Sequence, residues 1–167
     1  GDLAKAGELS YGTIPALVDG GFRLFESLAI NFYLARRSGR LLPPDPQGEA
    51  LVLQWSFWAA TECEPHIGNW YYHTQLLPPA ERRPEVAADA TARLPKRLAI
   101  LEAALASRDT LVGGEFTLAD LNVAAVLFRA PQFGLDAYPR VRAWHARCLA
   151  RPAAQRAIAM REAKAPA

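Results

Sequence analysis

The side chains able to carry chemistry in this chain are few, and their spacing narrows what they can do. There are two cysteines, Cys63 and Cys148, and three histidines, His66, His73 and His145. Their spacing matches no zinc site, so no metal is expected. Glu62 and Glu64 flank Cys63 and should raise its thiol pKa, which argues against a reactive thiolate. Cys148 lies on an amphipathic helix and reads as core. Asp120 follows Thr117 by three residues, the spacing of a capping box, so Thr117 and Asp120 read as structural rather than acid–base groups. That leaves Glu26-Ser27, placed where a helix must begin. The first N–H groups of a helix lack partners and carry partial positive charge. A carboxylate is a natural guest there. The pair alone is better read as a plain cap beside a solvated acid; the hairpin and Pro15 before it reverse that preference.

The elements that must position this pair run from Gly12 to Ala35. Ile14 to Val18 is apolar and contains Pro15, which suits a strand outside a central ladder. Asp19-Gly20-Gly21 is a turn signal. Phe22 to Phe25 predicts a second strand, and residues 27–38 a helix with Arg36 and Arg37 at its negative end and Gly39 at C′. Leu41 to Gln47 is a proline-rich connector, read as a domain boundary. It divides the chain into 1–40, a linker 41–47, a helical domain 48–163 and a loose tail 164–167.

Beyond the connector every signal is helical. Leu51, Trp55, Trp58 and Ala59 repeat as an amphipathic stripe within 47–76, with a kink or an end of the helix expected near Cys63-Glu64 because of Pro65. Leu94, Leu98, Leu101 and Leu105 share a face of a helix over 84–106. Thr117 opens a nearly all-apolar helix that Pro131 should end, with Phe116 and Leu121 as its hydrophobic staple. Tyr138-Pro139 and Arg151-Pro152 open the last two helices. The predicted class is α+β to mostly α: a hairpin-and-helix unit followed by an all-α domain.

Composition excludes several functions. At 167 residues, 51% hydrophobic and 22% charged, the chain is globular and long enough for a substantial core. A net charge of +2 with no basic run gives no footprint for nucleic acid. No apolar stretch is long enough to span a membrane and the start is not a signal peptide. Two thiols make no disulfide framework, which fits a reducing, cytoplasmic setting.

In order, Gly12-Thr-Ile-Pro-Ala-Leu, Leu24-Phe-Glu-Ser-Leu-Ala-Ile and Leu111-Val-Gly-Gly-Glu-Phe-Thr-Leu-Ala-Asp resemble the motifs of the cytosolic glutathione S-transferases. Tyr138-Pro-Arg-Val-Arg-Ala-Trp and Arg151-Pro are similar to that family's usual ending. The resemblance covers nearly the whole chain. It implies a thioredoxin-like unit, here partial, joined to the family's all-helical domain. It also implies a cis bond before Pro15 and glutathione as co-substrate, held by Thr13, Ile14, Pro15, Glu26 and Ser27. Ser27 would take the α-carboxylate of the γ-glutamyl group, and Glu26 its amine. Trp55, Trp58, Glu62 and His66 would line the pocket of a small hydrophobic electrophile, although taken as residues alone they are better explained as core or dimer-interface aromatics and their neighbours. A homodimer is implied as well.

The family's thiol-activating Tyr, Ser or Cys lies at the end of a first strand expected upstream of Gly1, so no catalytic residue is expected within this sequence. The expected activity of the parent protein is conjugation of the glutathione thiol to electrophiles, or reduction by it. The alternative is a non-catalytic assembly module, as in the gamma subunit of translation elongation factor one, to which Gln54-Trp-Ser-Phe-Trp has some similarity.

Overall fold

The computed structural model of the chain describes residues 14–163. Thr13 and the loose tail expected over 164–167 lie outside the described residues. Strands β1 (Ala16–Asp19) and β2 (Phe22–Phe25) form an antiparallel hairpin with Ala16 opposite Phe25 and Asp19 opposite Phe22. Gly20 turns the chain at φ 59°, a left-handed conformation that glycine adopts without steric cost. The strand expected from Ile14 begins two residues later. Pro15 therefore precedes the ladder and is not asked for the N–H it lacks.

Helix α1 (Ser27–Ser38) follows directly and ends in a left-handed Gly39, whose N–H reaches Arg36 O at 3.3 Å. The hairpin turn is pinned to this helix from one side. Tyr33 Oη donates to Asp19 at 2.7 Å, Arg37 pairs with the same carboxylate, and the Phe22 and Tyr33 rings lie 5.1 Å apart.

The connector then leads into α2 (Pro46–Trp58), capped by the Asp45 side chain on Gly48 N–H at 2.8 Å. A Cβ on Gly48 would stand 2.5 Å from that of Pro43, so only glycine lets the connector pass this close. The helix does not break at Pro65. It widens into a π-helical turn over Ala59–Cys63, continues as α3 (Glu64–Tyr71), and widens again over Tyr72–Leu76. The proline ring collides with the carbonyl four residues back, and the wider π spacing relieves that collision without ending the helix.

Helix α4 (Pro84–Ala104) packs Leu94, Leu98 and Leu101 into the core. Helix α5 (Leu118–Val126) runs through the centre, with Ala119 and Val123 fully buried. It stops before Pro131, contrary to expectation: residues Leu127–Phe133 tighten into a 3₁₀ segment that contains the proline. Helices α6 (Pro139–Leu149) and α7 (Pro152–Glu162) complete the domain. No described helix is long and apolar enough to cross a membrane.

The α5 N-terminus is the best-tied point of the core. Thr117 Oγ1 accepts Ala119 N–H at 3.2 Å, and Asp120 Oδ2 accepts Thr117 N–H at 3.0 Å. Asp120 Oδ1 takes Leu111 N–H and the Trp144 indole N–H, both at 2.9 Å. The next N–H, of Leu118, is taken by Leu41 O at 2.9 Å, which joins the connector to the helical core.

His145 on α6 is buried and donates Nε2–H to Ala124 O at 3.2 Å. Burial holds its pKa below 6.5. The unfolded chain therefore binds a proton that the folded chain refuses, so stability is lost as pH falls through 6.5. Thermal melts from pH 7.5 to 5 should show this acid slope, and His145→Gln should flatten it.

Candidate active site

The hairpin register brings the two candidate segments to one place. The ladder ends with Ala16 opposite Phe25, so Ile14-Pro15 and Glu26-Ser27 leave it at the same end of the hairpin. The Ile14–Pro15 bond is cis, and Ile14 is 81% exposed. Glu26 and Ser27 are exposed too, so this end of the hairpin is open to a ligand.

Glu26 occupies the N-cap of α1 at φ 71°, ψ 119°, a conformation that costs a residue with a Cβ on the order of 1–3 kcal/mol. Its side chain makes no capping bond, and the first turn of α1 contains no acidic residue. The first intrahelical bond runs from Ile30 N–H to Glu26 O at 2.9 Å. The N–H groups of Ser27, Leu28 and Ala29 therefore have no intrahelical partner. Ser27 is the first helical residue rather than the cap. Its hydroxyl stands beside those donors, at the positive end of the helix.

The other named residues are elsewhere. Trp55 and Trp58 are half-buried, edge to face at 5.2 Å, and pack on the core. Glu62 binds Arg97 at 2.7 Å. His66 is half-buried, and desolvation, helped by Arg97 and Arg93, lowers its pKa. None of these four lines the apolar cavity of about 460 Å³ between α5 and α7, which Phe116, Leu121, Phe128 and Ile158 form with Arg129, Arg151 and Arg161. That cavity includes no residue of the hairpin or of α1. Among the described residues, no group of His, Cys, Asp and Glu is arranged to hold a metal ion.

Both thiols are free and buried. Burial pushes Cys63 up to about 12; Arg97 opposes this and Glu62, of the two flanking acids, adds to it as a lesser cause. Burial pushes Cys148 to about 12 as well, with Asp120 adding to it. Native protein at pH 7.5 should resist iodoacetamide, with both thiols alkylated only in denaturant, as read by intact mass. Because the unfolded thiols ionise near 9.0, these groups also withdraw stability as pH rises from there toward 12.

Sequence comparison bears directly on this arrangement. The profile described as Glutathione S-transferase, N-terminal domain, matches residues 2–36, and the corresponding C-terminal domain profile matches residues 65–152. Glutathione S-transferase 3 of Zea mays is 36% identical, aligning 89% of this chain with 72% of that protein. The chain belongs to the glutathione S-transferase family.

Membership of that family accounts for the architecture. The hairpin and nearly all of α1 fall within the N-terminal profile, and α3 to α6 lie almost wholly within the C-terminal one. A theta class glutathione S-transferase from Xanthomonas axonopodis pv. citri, solved with glutathione bound, superposes with a TM-score of 0.80. It is 32% identical, over 87% of this chain and 72% of that one. Elongation factor 1-gamma of Danio rerio is 33% identical, aligning 89% of this chain with 34% of that protein. The strained backbone at Glu26 had no sequence signal of its own. The nearest hint was a helix start with a glutamate, a poor capping residue, where Ser or Asp would be usual.

Proposed function

We propose that this chain carries the peptide-binding half of a glutathione transferase site, and that the protein conjugates the glutathione thiol to small hydrophobic electrophiles or uses it for reduction. The observation that carries the reading is the uncapped, acid-free N-terminus of α1, with the Ser27 hydroxyl exposed beside it. The γ-glutamyl α-carboxylate supplies the missing anion, bonded by Ser27 Oγ and the first-turn N–H groups. Glu26 faces the amine of the same group. The backbone at Ile14 and Pro15, outside the β ladder, receives the cysteinyl part in the manner of an added strand. Thr13, next to them in sequence, completes the glutathione contacts. The α2–α3 helix, with Trp55, Trp58, Glu62 and His66, forms a wall for the electrophile. A cytoplasmic homodimer is part of the reading.

The similarity to an elongation factor 1-gamma favours a second reading, an assembly module that recognises a protein rather than turning over a substrate. Retention on immobilised glutathione, release by free glutathione and turnover of an aromatic electrophile would establish the transferase. Failure to bind glutathione, with capture of a protein partner, would replace it by the module.

A further inference from the structure

Three polar side chains, two of them buried, join α1 to the helical domain. Asn31 Nδ2 donates to Asn122 Oδ1 on α5 at 2.8 Å. Asn122 Nδ2 donates to Ser56 Oγ on α2 at 2.9 Å, and Ser56 Oγ donates to Val52 O at 2.7 Å. Asn122 and Ser56 are buried and Asn31 is half-buried. Each group spends its donor on the next, so the relay has one direction and fixes the orientation of the Asn122 amide.

The relay lies where apolar packing is incomplete. A cavity of about 170 Å³ separates Leu28 and Phe32 of α1 from Leu53 of α2 and Leu118 of α5, and Ser56 and Asn122 line it. Apolar contact across a gap is non-directional and leaves α1 room to roll. The ion pair Arg36–Glu49, at 2.6 Å, ties the opposite end of the helix, and Arg36 is mostly exposed, so it holds that end weakly. A side-chain bond with fixed geometry, made under low dielectric, sets the roll that the packing does not.

We propose that Asn31 is a positioning residue for the anion seat at the start of α1, acting through Asn122 and Ser56. This rests on the reading of Ser27 as a glutathione contact. Asn31 follows Ser27 by four residues, about 6 Å along the helix axis and about 40° around it. Holding Asn31 against Asn122 therefore fixes the direction of the first-turn N–H groups and of Ser27 Oγ. The γ-glutamyl carboxylate feels that direction; the cysteinyl part, which meets the backbone beside Pro15, does not.

The test is titration of the full chain with glutathione and with the dipeptide cysteinylglycine, which lacks the γ-glutamyl group. Asn31→Leu, near in size, should weaken glutathione by about three- to tenfold, the range for one lost hydrogen bond. It should leave the dipeptide affinity unchanged. Ser56→Ala should act in the same direction more weakly. The pair Asn31→Leu with Asn122→Leu should recover melting temperature, because both polar groups are gone, and still bind glutathione weakly. Equal weakening of both ligands by Asn31→Leu would overturn the proposal, as would restored affinity in the double leucine variant. Ser27→Ala is the control. If it weakens glutathione while Asn31→Leu does not, only the positioning role fails. If Ser27→Ala changes nothing, the glutathione reading fails and the proposal with it.

Discussion

Ser27→Ala is expected to weaken glutathione binding by about ten- to a hundredfold, the range for a hydrogen bond to a charged group. The loss should come almost without change in stability. Ser27 is exposed and the helix is capped by neither Ser27 nor Glu26, so folding does not use its hydroxyl. A second variant separates binding from folding more sharply. Ser27→Asp places a carboxylate in the seat permanently. It should stabilise α1 by about 0.3–1 kcal/mol through the helix dipole and abolish glutathione binding, because seat and guest would then carry the same charge. Stability and affinity moving in opposite directions is a result that damage to the fold cannot produce. Titration calorimetry alongside thermal melts reads both quantities.

Asp120→Ala should have the largest effect on stability. Its carboxylate is fully buried and accepts three N–H groups, from Leu111, Thr117 and Trp144. Truncation leaves those three buried N–H donors unpaired at once, at roughly 1–3 kcal/mol each, and also removes the acceptor of the Thr117 hydroxyl. A total near 3–5 kcal/mol allows for partial relaxation and lowers the melting temperature on the order of 10 °C. Asp120→Asn keeps one accepting oxygen and turns an NH₂ toward a donor, so it should fall between alanine and wild type. Asparagine equal to aspartate would mean that the cap and the Trp144 bond contribute little.

Local patterns made part of this fold legible in the sequence. Asp19-Gly20-Gly21 between two short apolar runs defines the hairpin, because a two-residue reversal needs glycine. The bounds of α1 follow from a helical repeat that ends in Arg36, Arg37 and Gly39. The capping box is legible because Thr117 and Asp120 are three residues apart. What stayed hidden is what distant partners decide. Trp144 lies 24 residues beyond the carboxylate it bonds, and Asn31 lies 91 residues before its partner Asn122. The π turns around Pro65 could not be read either. A proline marks strain but not whether the helix breaks or widens; here Ala59 and Cys63 of the widened turn are packed into the core. In the candidate site, residue types pointed to Glu26-Ser27. The unusual backbone of Glu26, which orients the pair, comes from the meeting of β2 and α1 and has no signature in composition.

The measurement that bears most directly on the proposed site compares two ligands on one protein. Glutathione and cysteinylglycine differ by the γ-glutamyl group, whose α-carboxylate the proposed site seats at the start of α1. Calorimetric or NMR titration should find glutathione tighter by at least about tenfold, with the difference collapsing in Ser27→Ala. Equal affinities for the two ligands, or a difference that survives in Ser27→Ala, would show that the carboxylate is held elsewhere.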